Sequence, residues 1–144
     1  MKDRITEILN GDVYPSVYVL EVALTVKELA KLKQDKGTKL FAIDGTQIVD
    51  SMSLFQQFAI VMQLPEYFGN NWDALKDCLT ELDGDEVDRY IITIDKLDNF
   101  IDNDPSQWAN FLDVCKSAIE YWQETETPLY VLLHGNSAPI WLNL

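Results

Sequence analysis

Basic residues are scarce in this chain of 144: 11 Lys and Arg stand against 24 Asp and Glu, a net charge of −13 with the single histidine neutral. Phosphate binding needs clustered cations, so this scarcity argues against an electrostatic nucleic-acid binder and against an anionic membrane surface. Cysteine is scarce too. Cys78 and Cys115 cannot form a disulfide framework and have no metal-type spacing, which leaves a reducing cytoplasm as the expected setting. One histidine leaves little material for a zinc site, so neither metal nor cofactor is expected. No apolar stretch approaches the roughly 20 residues of a membrane span. The opening MKDRITEILNGD lacks the apolar run of a secretory signal. Repeats and low-complexity tracts are missing as well. Apolar residues, by contrast, make up 47% of the chain and aromatics 11%, enough for a real core in one domain of ordinary size.

Charge is unevenly spread. Residues 1–40 carry a net +1 and residues 41–144 a net −14, with eight acids and only Lys76 between residues 66 and 88. A charge run of this kind is ordinarily a solvated acidic helix and loop. It also favours encounter with a basic protein. The shift near residue 38 predicts an N-terminal extension, residues 1–37, packed on a core domain of residues 38–144, because 37 residues are too few to be stable alone.

Periodicity predicts the elements. Val17–Glu21 is a short strand. Thr25-Val-Lys-Glu28 is a capping-box pattern opening a helix that carries Lys31, Lys33 and Lys36 and that Gly37 can end. Leu40–Ile43 is a continuous apolar run, as in a strand covered on both faces, and Asp44-Gly45 marks a turn. Helices follow at about Ser53–Met62, stopped by Leu64-Pro65, and at about Asn71–Leu82. Tyr90–Ile94 is rich in β-branched residues. Asp104-Pro105 is an N-cap and first-turn pair for a helix of nearly four turns through Trp122, and Leu129–Leu133 is a last buried strand. The order β-α-β-α-α-β-α-β predicts an α/β fold: a small, mostly parallel sheet of three to four strands covered by helices, with residues 17–21 at its periphery.

The informative stretch is residues 64–82, LPEYFGNNWDALKDCLTEL. Gly69-Asn70-Asn71 is a tight loop, and Asn71 suits an N-cap. Asp73 then lies in the first turn, where the helix dipole favours a carboxylate. Asp77 follows at i+4, with Glu81 a further four residues on. Like charges at that spacing repel and cost a helix about 0.2–0.5 kcal/mol. Lys76 softens the repulsion, and Thr80 extends the same face. Short acids with poor helix propensity, placed this way, suit a surface waiting for a cation. Ahead of the helix, one of Tyr67 and Phe68 is expected in the core and the other as an exposed anchor of the kind enriched at interfaces.

These residues resemble the signature of the barstar family, intracellular inhibitors of the secreted bacterial ribonuclease barnase. The shared run is gapless and includes Leu64, Pro65, Glu66, Tyr67, Gly69, Asn71, Asp73, Ala74, Leu75, Asp77, Cys78, Leu79 and Thr80. A weaker likeness extends from Lys39 to Leu133, about two thirds of the chain, and residues 1–37 resemble the extension of other family members. The resemblance implies a barstar-like fold, no catalysis, and a helix that plugs a nuclease active site. Asp77 would take the substrate-phosphate position, Asp73 would pair with a neighbouring cation, Tyr67 would pack on the rim, and Thr80 would support the acid by a hydrogen bond. The implied partner is a basic microbial ribonuclease or nuclease toxin, and the implied interface is Tyr67, Gly69, Asn71, Trp72, Asp73, Lys76, Asp77 and Thr80, on a monomer. Four residues depart from the family pattern: Lys76 and Leu82 replace aromatics, Trp72 replaces a leucine, and Asn70 replaces an acid. Ser117 falls near a further acidic contact of the family.

Two other functions remain open. An enzyme would use the paired carboxylates as acid and base, but acids at i, i+4 on one exposed face make no pocket and no nucleophile motif accompanies them. His134, at a strand end, is expected to be a hydrogen-bonded structural residue rather than a general base. The other alternative is a barstar-fold immunity or regulatory module with a non-ribonuclease partner, since fold does not fix function. Both cysteines are expected as buried free thiols. Trp108 and Trp122 are expected in the core, Trp72 at the interface, and Trp141 over the sheet edge or a neighbouring chain.

Overall fold

The structure, a computed structural model, describes residues 3–65, 68–82 and 87–135. Its elements in chain order are α1 (Arg4–Leu9), β1 (Val17–Leu20), α2 (Val26–Gln34), β2 (Thr38–Asp44), a 3-10 turn (Gly45–Gln47), α3 (Ser51–Val61), α4 (Trp72–Thr80), β3 (Arg89–Asp95), α5 (Asp98–Asn103), α6 (Pro105–Gln123) and β4 (Leu129–His134). The four strands form one all-parallel sheet in the order β1-β4-β3-β2. Residues 17–20 are an edge strand hydrogen-bonded to β4, the peripheral position their sequence suggested.

Helices cover both faces. Tyr90, Ile92 and Ile94 of β3, with Leu129, Val131 and Leu133 of β4, point into the larger core with α3, α4, α5 and α6. Ile91, Tyr130 and Leu132 point the other way, onto Ile5 and Ile8 of α1 and Leu32 of α2. Burial on both faces is why these strands are continuous apolar runs instead of alternating ones.

Residues 1–37 thus contribute an edge strand and two covering helices. Half-buried charge pairs hold them. Arg4 makes two bonds to Glu28, at 2.8 and 2.9 Å, and Arg89 reaches Asp35 at 2.8 Å and the Leu9 carbonyl at 3.1 Å. The Arg4 guanidinium, helped by the Thr25 N–H and opposed by burial, holds the Glu28 carboxyl below its ordinary value of 4.5. A lowered carboxyl contributes stability that is complete above the ordinary value and lost as pH falls through the folded value. Glu28→Gln should therefore lower stability at pH 7 and flatten the loss of stability below pH 4.5, read by urea unfolding at a series of pH values.

The capping boxes are local. Thr25 and Glu28 cap α2 reciprocally, and Asp50 with Ser53 caps α3, two residues ahead of the start expected from periodicity. The α3 terminus is a Schellman turn: Leu64 N–H reaches Ala59 O at 2.9 Å and Gln63 N–H reaches Ile60 O at 3.3 Å. Gln63 occupies the left-handed position of that turn at φ 54°, where glycine is favoured. Gln63→Gly should raise unfolding free energy by about 0.5–1 kcal/mol in urea melts.

Candidate functional site

The loop and helix of residues 68–80 lie on the larger core. Asn71 caps α4, its side-chain oxygen accepting from Ala74 N–H at 2.8 Å, while its amide donates to Gly69 O at 3.2 Å. Asn70 takes φ 50°, a left-handed position that asparagine tolerates. These contacts keep exposed Gly69 and Asn71 at the head of the helix. Leu75 and Leu79 are fully buried, and Phe68 is buried edge-on against Phe55 at 6.3 Å. Phe68 is thus the core aromatic of the loop pair. Tyr67 lies outside the described residues, as do Glu66 and Trp141.

The opposite face of α4 carries charge. Asp73, Lys76, Asp77 and Glu81 are exposed, and Thr80 is half-buried. Neither Asp73 nor Asp77 has a side-chain hydrogen bond or ion pair among the described residues. Arg4, Lys31 and Arg89 are committed to Glu28, Asp3 and Asp35 around the N-terminal segment. Asp73 sits in the first turn of the nine-residue helix, where its charge is favourable. Asp77 sits in the last turn, where the exposed carbonyls make a carboxylate unfavourable, and the last turn has no basic residue. The free protein therefore keeps Asp77 where helix electrostatics oppose it.

Two indole N–H groups strap this helix to α6. Trp72 Nε1 donates to Gln107 Oε1 at 2.7 Å near the start of both helices. Trp122 Nε1 donates to Leu79 O at 2.8 Å, satisfying one of the last carbonyls of α4. Trp72 is half-buried, its ring 4.8 Å from Phe55, so it braces the acidic face from behind more than it lines it. Its spacing with Leu75 and Leu79 (i, i+3, i+7) is the inward stripe and was the available signal. Gln107, which no motif singles out, was missed. The Thr80 hydroxyl donates to the Lys76 and Asp77 carbonyls, both at 3.1 Å, a back-bond within the helix.

The remaining candidates are structural. His134 Nδ1 accepts from Lys96 N–H at 3.3 Å. Cys78 is half-buried, its thiol pushed up by burial and then by Glu81 and Asp77; Cys115 is buried and also pushed up. Ser117 is half-buried on α6 and Trp108 is buried. No group of three or more potential metal ligands occurs among the described residues, and none of their helices is long and apolar enough to cross a membrane.

A family model described as Barstar (barnase inhibitor) matches residues 38–134, which include the loop, α4 and three of the four strands. The chain belongs to the barstar family. The family's description is that of an inhibitor, not of an enzyme. Curated protein sequences give no match. Among solved structures, the barstar-family chain is similar to the Aeropyrum pernix ORC2 protein, described in ADPNP–ADP complexes, at TM-score 0.55 and 13% identity. The alignment covers 91% of this chain and 37% of that one, so this chain spans well under half of that neighbour. At such identity the likeness is one of fold alone.

Proposed function

We propose that this barstar-family chain inhibits a basic microbial ribonuclease or nuclease toxin by inserting α4 and the preceding loop into its active site. Asp77 takes the place of a substrate phosphate and Asp73 pairs with a cation beside it. Gly69 and Asn71 shape the loop, and Tyr67 packs on the rim. The observation that carries the proposal is the exposed Asp73–Asp77 pair, unpaired among the described residues, on a helix fixed to α6 at both ends. A carboxylate receiving several guanidinium bonds imitates a phosphate oxygen. A rigid donor helix also loses little entropy on binding. Residues 1–37 are an extension packed on a barstar-like domain, and the chain acts as a non-enzymatic cytoplasmic monomer.

One observation favours a second possibility, a partner that is not a ribonuclease. Lys76 is exposed between the two aspartates, where it repels a basic cleft. The deciding experiment measures RNA cleavage and calorimetric binding against several basic microbial ribonucleases, with Asp77→Ala alongside. A 1:1 complex that blocks cleavage, associates more slowly in high salt and is weakened by Asp77→Ala supports inhibition. Complete inhibition that ignores the substitution would place the interface elsewhere.

A further inference from the structure

On the face of the sheet opposite α4 lies a cavity of about 280 Å³, at the carboxyl ends of the strands. Its apolar wall is Leu20, Leu24 and Leu29 from the N-terminal segment with Leu132 of β4. Its polar wall is the last residue of each of two neighbouring strands, Asp44 and Asp95, which are register partners in the sheet, with Lys96 beside them. Crevices beyond the carboxyl ends of parallel strands are where open α/β sheets bind ligands. Here the cavity owes three of its apolar walls to residues outside the family match.

Three features mark the cavity as more than a packing gap. Thr93 is the buried polar residue of the described sheet, 6% exposed, and lines the cavity. Its hydroxyl makes no hydrogen bond among the described residues, and no sealed, unsatisfied polar atom occurs among them, so the cavity itself is what that hydroxyl faces. The Asp95 carboxylate likewise has no hydrogen bond or ion pair among the described residues, whereas Asp44 is held by Thr46 N–H at 3.0 Å and its hydroxyl at 2.7 Å. Lys96 adopts φ 55°, a costly backbone for a residue other than glycine, and its N–H is fixed to His134 Nδ1. Two carboxylates against one ammonium leave the polar wall with a surplus negative charge. That surplus favours a cation over a phosphate or carboxylate.

We propose that this cavity binds a small organic cation, a primary ammonium on a compact apolar body. The ammonium donates to Asp95, to the free oxygen of Asp44 and to the Thr93 hydroxyl, and the body packs on Leu24, Leu29 and Leu132. At roughly 30 Å³ per heavy atom, the share a water takes in the liquid, the volume holds about nine such atoms. The site is independent of the acidic helix and of what that helix inhibits.

Cyclohexylamine, charged at pH 7 and of seven heavy atoms, is a suitable probe. It is titrated into the full chain at 150 mM salt beside cyclohexanol and cyclohexanecarboxylate and followed by amide and methyl NMR. The expected result is a saturable shift at Thr93, Leu24, Leu29 and Leu132, with cyclohexanol at least tenfold weaker and the carboxylate inert. Asp95→Asn should weaken the amine at least tenfold, and the near-isosteric Thr93→Val should weaken it several-fold if Asp95→Asn fails to fold. Three results would overturn the proposal. They are equal binding of cyclohexanol, shifts that grow without saturating or fall on α4, and amine affinity unchanged in the folded variants.

Discussion

Asp77→Ala should raise the dissociation constant for a basic microbial ribonuclease by at least about a hundredfold, mostly through faster dissociation, while making the free protein more stable. Truncating one partner of a desolvated charge pair costs about 2–5 kcal/mol. A factor of a hundred is about 2.7 kcal/mol and sits inside that range. The gain in stability has a separate cause. Asp77 occupies the last turn of α4, lies one turn from Asp73 and has no cation partner among the described residues. Alanine removes the repulsion and the unfavourable dipole contact and is the better helix former, for about 0.5–1 kcal/mol. Asp73→Ala, which deletes a favourable first-turn charge, should lower stability slightly and cost less affinity. Exposed Glu81, four residues beyond Asp77, should alter association rate and its salt dependence more than dissociation. Inhibition assays, stopped-flow association and urea melts separate the three. If Asp77→Ala destabilises the chain and leaves the complex intact, the residue is structural and α4 is not the plug.

The parallel sheet was legible because β2, β3 and β4 are short apolar runs, the first closed by Asp44-Gly45, separated by helical periods. The caps at Thr25, Asn71 and Asp104 were legible because each is a contact between residues a few positions apart. Helices α1 and α5 were not: at six residues each they are too short to set up a period, and α5 has no side-chain cap. Helix α2 ends at Gln34, three residues before Gly37, because the chain turns early to bring Asp35 to Arg89, 54 positions away. The acidic face of α4 was visible as a spacing, but its setting was not. Whether Asp73 and Asp77 were neutralised internally depended on where Arg4, Lys31 and Arg89 went, and each of those commitments spans 24 positions or more. The Trp72–Gln107 bond joins residues 35 positions apart, so no local pattern announces it. The cavity at the strand ends is less legible still, since it needs the edge strand and α2 brought against β2, β3 and β4.

Trp122→Ala should cost about 3 kcal/mol of stability and Trp122→Phe about 1–2 kcal/mol, and both should loosen the presenting helix. Trp122 is half-buried on the larger core, its ring 5.0 Å from Tyr90 and 5.3 Å from Tyr121. Removing a large aromatic from such a place costs about 3–5 kcal/mol when buried, and partial exposure puts this site at the low end. Phenylalanine keeps the ring but removes the donor that Leu79 O accepts at 2.8 Å. That carbonyl is one of the four that an α-helix leaves without an internal partner, so the cost is a lost bond plus an unmet acceptor, about 1–2 kcal/mol. The consequence for binding follows from position. Leu79 is two residues from Asp77, so fraying begins beside the acid proposed to face the nuclease. Amide exchange in α4 should quicken more than in β3 or β4 in Trp122→Phe, and ribonuclease affinity should fall several-fold although no charge has been removed. Trp72→Phe, which frees the other end from Gln107, should quicken exchange around Asp73 instead. Quickened exchange with unchanged affinity would mean that the helix tolerates mobility and that its two indole bonds serve stability alone.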